Sequence, residues 1–117
     1  MMICGCEQAP PVEKGRVASP DGRFDAIVVE FPSGALGNSG FGIVILEHNT
    51  KIPEKNYPSL VNTYLSVEKV HWLSNSLLEV GYEAGTTIYS FNNMWSKVAE
   101  PGQVTPQIEL ILKRQSK

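Results

Sequence analysis

The residues in this chain whose types could support acid–base chemistry lie around His71. The carboxylates nearest to it in the sequence are Glu68, Glu79 and Glu83. An imidazole that a carboxylate orients is half of a hydrolase active site, but no nucleophile is evident beside it. We therefore interpret His71 and Glu79 as a surface pair on opposing strands and predict no catalytic residue. A small hydrolase that uses His71 with a carboxylate stays as a third functional alternative.

The two cysteines, Cys4 and Cys6, do not complete a disulfide framework or a metal site. They are too close in the sequence for a relaxed disulfide. A closed zinc site takes four ligands, and the only imidazoles, His48 and His71, have no ligand-like spacing. The glycine-rich segment 34–40 lacks the Gly-Lys-Ser/Thr of a P-loop, which favours a flexible hairpin loop. The sequence therefore predicts no metal and no cofactor.

Composition narrows the class of protein. The chain has 117 residues, 42% hydrophobic and 19% charged, which is typical of one folded domain. Its net charge is -2, and acidic and basic residues are interspersed. Nucleic-acid binding needs a cluster of Lys and Arg side chains that contacts the phosphate backbone, so we expect no nucleic-acid partner. The one local basic excess, in residues 113–117, is interpreted as a solvated C-terminal tail. No apolar run approaches the about 20 residues that a membrane-spanning helix needs.

The elements that must position these side chains are mostly strands. Residues 24–31 and 41–47 predict one antiparallel hairpin, and 67–73 with 77–83 predict a second around the turn Ser74-Asn75-Ser76. Residues 86–91 and 107–113 predict two further strands, whereas 60–65 is ambiguous between a strand and a helical turn. Asn92-Asn93 is expected to cap a short helix over 94–98.

The fold class that follows is mainly β, as an antiparallel meander or small sandwich of five to six strands with at most one short helix. Residues 1–18 are predicted to be an N-terminal tether, because the first part of this segment is polar and contains prolines without periodicity. Residues 19–117 are predicted to form a single β domain that begins at the turn Ser19-Pro20-Asp21-Gly22.

Ile3-Cys4-Gly5-Cys6 resembles the lipobox of bacterial lipoproteins, and the resemblance implies that Cys6 is the lipidated residue. The signal peptide that should precede a lipobox is missing from the sequence. Two explanations stay open. In the first, the true precursor begins upstream, and the protein is a periplasmic or surface-facing lipoprotein of the cell envelope. Its only membrane contact is then the lipid anchor. In the second, the protein is cytoplasmic and the Cys-Gly-Cys is incidental.

A second resemblance joins the turn Ser19-Pro20-Asp21-Gly22-Arg23 with the segment 70–77, which contains Trp72-Leu73-Ser74 and Asn75. Together they resemble the blade signature of TolB-type β-propellers, and also small bacterial lipoproteins that carry both features. The chain is too short for a propeller of even four blades of about 40 residues, so no central-channel ligand follows. What the similarity implies is turn chemistry and a packed Trp72.

The aromatic residues Tyr57, Tyr64, Tyr89, Phe91 and Trp95 are predicted to include surface positions. The candidates for binding a partner are Tyr57, Tyr64, Tyr89 and Trp95, since Tyr and Trp combine an apolar body with a polar tip. Covering the second face of a sheet is the other explanation for them. The leading hypothesis is a non-enzymatic, envelope-tethered binding module whose partner is a protein or an envelope component. The alternative is a cytoplasmic immunity-type or regulatory protein-binding domain.

Overall fold

The computed structural model describes residues 11–31, 40–53, 58–97 and 106–115. These residues form nine strands and one 3-10 turn, at Val67–Lys69. The strands are β1 (Val12–Ala18), β2 (Phe24–Phe31), β3 (Gly40–Glu47), β4 (Leu60–Asn62), β5 (Val70–Ser74), β6 (Leu77–Glu83), β7 (Ile88–Phe91), β8 (Met94–Ser96) and β9 (Gln107–Gln115). The mainly β prediction is therefore confirmed.

The strands form two sheets. The first sheet has five strands in the order β1-β2-β3-β4-β7, all antiparallel. The second sheet has four strands in the order β5-β6-β9-β8, and there β6 and β9 are parallel. A parallel pair needs a long connection, and here the chain from β6 to β9 visits β7 in the first sheet on the way.

The main hydrophobic core lies between the two sheets. Alternate residues of each strand point inward, as the period of two in a strand requires. From the first sheet these are Phe24, Ala26, Val28, Ile43, Ile45 and Leu60, and from the second they are Val70, Leu78, Val80, Ile108 and Leu110. β2 and β3 also carry apolar residues on their outer face, where Ile27, Val29 and Val44 form a second buried cluster. This double burial is the reason for their almost continuous apolar sequences.

The two long edges of the sandwich are built differently. At one edge β1 lies beside β5, and the indole Nε1–H of Trp72 donates to the carbonyl oxygen of Val17 at 2.9 Å. At the other edge the chain passes from β7 to β8. The Asn92 N–H donates to the carbonyl oxygen of Ser59, which precedes β4 of the first sheet, and the Leu110 N–H of the second sheet donates to the carbonyl oxygen of Asn93.

Three predictions about elements were wrong. Met94–Ser96 is strand β8 rather than a helix, because it pairs with β9 and places Trp95 against the core ring of Phe24. Val12–Ala18 pairs with β2 as an edge strand, so the folded part includes residues that were predicted as tether. Lys113 to Gln115 continue β9 and are not a free tail. The nine described strands also exceed the predicted five to six, since the short ones carry little pattern of their own.

Candidate functional site

The predicted pair His71 and Glu79 lies on the outer face of the second sheet. The two residues are direct partners in the β5–β6 register, and Ile111 follows in the same row on β9. His71 is exposed and Glu79 is half-buried. Within the described ranges no hydrogen bond or ion pair joins them, so this geometry does not orient the imidazole as a general base.

The predicted binding aromatics separate into two kinds. Tyr64 and Tyr89 are 58% and 50% exposed. Trp95 is half-buried and meets the Phe24 ring edge to face at 5.3 Å, so part of its ring packs against the core. Tyr57 lies outside the described residues, and so does Cys6.

The exposed large hydrophobic side chains lie mostly on β7, on β8 and just after β4. Six large hydrophobic residues are exposed in the described part of the chain, and Tyr64, Tyr89, Phe91 and Met94 are four of them. Tyr64 follows β4, the neighbour of β7, while the other three lie on β7 and β8. We call these four residues the aromatic edge. The sequence pointed to its three aromatic residues but not to Met94.

A small groove lies beside Tyr64 and is lined in part by residues of the second sheet. Its lining includes Lys69, Tyr82, Glu83 and Thr86. Lys69 lies 3.6 Å from Glu83 as an ion pair. The groove therefore joins aromatic rings with one charge of each sign, a combination suited to a polar partner surface.

A second polar cluster lies on the outer face of the first sheet, around the buried carboxylate of Asp25. This side chain is 1% exposed and accepts hydrogen bonds from Arg16 at 2.9 Å, from His48 at 2.8 Å and from the backbone N–H of Asn49 at 3.0 Å. Arg16 in turn donates two hydrogen bonds to Glu13, at 2.8 and 2.7 Å. The network ties β1, β2 and the turn after β3 together.

The protonation of this network follows from its contacts. Burial alone would raise the pKa of Asp25, but the hydrogen bonds from His48, Asn49 and Arg16 outweigh it and lower that pKa. The hydrogen bond from Arg16 lowers the pKa of Glu13 as well. His48 and Asp25 resemble the base and its orienting carboxylate in a hydrolase. Here, however, Asp25 is shared with Arg16 and the described residues bring no hydroxyl or thiol into hydrogen bonding with His48.

The two motifs of the propeller resemblance contact each other. The backbone N–H of Asp21 donates to the side-chain oxygen of Asn75 at 2.9 Å, so the first turn and the β5–β6 turn are joined. Within the first turn Ser19 donates to Asp21 at 2.7 Å, and Gly22 has a φ of 74° that suits glycine. These hydrogen bonds give both motifs a structural role at one end of the sandwich.

The most unusual polar group in the core is the side chain of Asn62. It is fully buried on β4, and neither its Oδ1 nor its Nδ2 has a hydrogen-bond partner. Its register partners are Phe41 on β3 and Ile88 on β7. A buried amide without partners is rare in native proteins, so Asn62 needs a physical explanation.

Comparisons with known proteins found no match to this chain among family models, curated proteins or solved structures. In the described residues no helix is long and apolar enough to cross a membrane. The same residues contain no group of three or more His, Cys, Asp or Glu side chains placed to hold a metal ion.

Proposed function

We propose that this protein is a non-enzymatic binding module that contacts a protein partner through the aromatic edge. The observation that carries the proposal is that four of the six exposed large hydrophobic side chains in the described residues lie on β7, on β8 or just after β4. Tyr89, Phe91 and Met94 follow one another closely in the chain and are between 37% and 50% exposed. Single exposed hydrophobic residues are ordinary, but a cluster on one edge is typical of an interaction site.

The backbone under these residues supports the same role. β7 pairs with β4, and β8 pairs with β9, so the rings project from hydrogen-bonded strands. A ring held on a fixed backbone loses little conformational entropy when a partner covers it. The Phe41 ring, 5.3 Å from Tyr64, further restricts that side chain. A preorganised aromatic surface of this kind suits protein recognition.

The cellular place of the module is proposed to be the envelope, through a lipid on Cys6. The support is the lipobox-like Ile3-Cys4-Gly5-Cys6 and the polar residues that follow it. The test is to express the full gene product from its native chromosomal locus and to label the cells metabolically with an alkyne fatty acid. Label that is lost in Cys6→Ser and kept in Cys4→Ser supports the anchor. An unlabelled protein in the cytosol would support the cytoplasmic alternative instead.

Site-specific photo-crosslinking in the native cell tests the binding surface. A benzophenone amino acid replaces Tyr89 in one variant and Leu73 in another, since these side chains are 50% and 52% exposed and lie on different surfaces. We expect a discrete crosslinked protein from position 89 and none from position 73. Equal labelling from both positions, or none from position 89, would contradict an interface at the aromatic edge.

A further inference from the structure

The longest described strand, β9, is paired along Glu109–Gln115 on one side and along Gln107–Glu109 on the other. β6 runs beside it from Glu109 to Gln115 without a register shift. On the opposite side β8 reaches only from Gln107 to Glu109, and the last bond there goes from the Leu110 N–H to Asn93. In the described part of the chain no strand continues beside Ile111–Gln115 on that side.

The direction of the unpaired groups follows from two hydrogen bonds. The Glu109 N–H donates to Ser76, toward β6, while the Leu110 N–H donates to Asn93, toward β8. Successive residues of a strand direct their backbone groups to opposite sides. Leu112 and Arg114 therefore direct their N–H and C=O groups outward at the open side of β9. Such a row of free donors and acceptors is the template that an added strand needs.

The opposite edge of the sandwich is protected against such pairing. β1 carries a register shift between Glu13 and Gly15, and the carbonyl of Val17 already accepts from Trp72. Bulges and occupied backbone groups are common ways to block an edge strand. Within the described residues, the open part of β9 has no register shift in its pairing with β6, and its outward backbone groups have no hydrogen-bond partner.

The charges on this part of β9 indicate which strand it accepts. Between Ile111 and Gln115 the only charged side chains are Lys113 and Arg114, and both are exposed. A second copy of the chain, added antiparallel, would bring these cations next to their own counterparts, and like charges on adjacent strands are destabilising. Carboxylates on the added strand would instead pair with them.

We infer that the open side of β9 binds an extended acidic segment of a partner protein by strand addition. The inference rests on the proposed function, because the segment would belong to the partner that contacts the aromatic edge. Both surfaces lie on the same side of the sandwich, where β7 leads into β8. Backbone hydrogen bonds to Leu112 and Arg114 would supply the affinity, and Lys113 and Arg114 would supply the preference for acidic side chains.

Substitutions at Arg114 separate the backbone from the charge. Arg114→Pro removes the outward N–H, and proline is tolerated in edge strands where its missing N–H faces away from the partner strand. Arg114→Ala removes the charge and keeps the N–H. The probe is a short acetylated, fluorescein-labelled peptide of alternating Glu and Val, with an alternating Lys and Val peptide as its control. Fluorescence anisotropy measures binding to the full chain, and circular dichroism checks the fold of each variant.

We expect the acidic peptide to bind the wild type at least tenfold more tightly than the basic one. Arg114→Ala should weaken this binding severalfold, and Arg114→Pro should abolish it. Equal binding of both peptides, binding unchanged in Arg114→Pro, or a dimer of the chain that Arg114→Pro dissociates would each overturn the inference. If Arg114→Pro does not fold, an acidic peptide whose backbone nitrogens are methylated replaces this variant as the test. This peptide cannot form the backbone hydrogen bonds to β9, so the inference requires that it does not bind the wild type. If the peptides do not bind as expected but position 89 still crosslinks to a protein, the proposed binding function stands and strand addition is rejected.

Discussion

Replacing Asn62 with Leu should stabilise this protein. The amide of Asn62 is fully buried and both of its polar atoms lack partners, whereas its neighbours in the sheet register, Phe41 and Ile88, are apolar. Burying an amide without hydrogen bonds costs about 1–3 kcal/mol by mutational measurements. Leu branches at the same carbon as Asn but is bulkier, and moderate overpacking returns about 1 kcal/mol of that gain. The expected net effect is a rise of about 0–2 kcal/mol in the free energy of unfolding.

Urea unfolding followed by tryptophan fluorescence measures this change. For a domain of this size 1 kcal/mol corresponds to about 4 °C in Tm, so we expect Tm to rise by up to about 8 °C. Asn62→Val, which is smaller than Leu and equally apolar, controls for overpacking. If Leu and Val both lower the free energy of unfolding by more than about 1 kcal/mol with an unchanged urea dependence, the amide is hydrogen-bonded to internal water and the reasoning is refuted.

Three further substitutions test the contacts that hold the sheets. The lowered pKa of Asp25 stabilises the fold above its unfolded pKa of about 4 and stops doing so as pH falls through the lower folded value. Urea unfolding should therefore show stability falling below about pH 4, and less steeply in Asp25→Asn. Trp72→Phe, which leaves the Val17 carbonyl without its donor, should lower the free energy of unfolding by about 1–3 kcal/mol in the same assay. Gly42→Ala would place a Cβ 2.5 Å from the carbonyl oxygen of Leu60, and calorimetry should show a loss of about 1–3 kcal/mol or more.

Long strands with a strong apolar pattern were predictable from the sequence. β2, β3, β6 and β9 each bury alternate or continuous apolar residues, so their local pattern and their three-dimensional environment agree. β8 was not predictable, because Met94–Ser96 becomes a strand through its pairing with β9, across a connection that has no pattern of its own. A three-residue strand depends on its partner more than on its own propensity.

The candidate sites were also only partly predictable from the sequence. Tyr64 and Tyr89 were expected at a surface on residue type alone, and the structure leaves both exposed. The carboxylate of Asp25 could not be assigned to a network, because Arg16 and His48 reach it only in the observed register of β1, β2 and β3. Register is set by the packing of whole strands, so single residues carry little signal of such a cluster.

The two edges of the first sheet give a physical reason why anchoring and binding would be compatible. β1 and β7 lie at opposite edges, four strand spacings or roughly 19 Å apart. The chain enters the fold at β1, where Trp72 and the register shift already block further pairing. A lipid on Cys6 would therefore hold the domain by its protected edge. The aromatic edge and the open side of β9 would then face away from the attachment, and a partner strand could reach them without competing with the anchor.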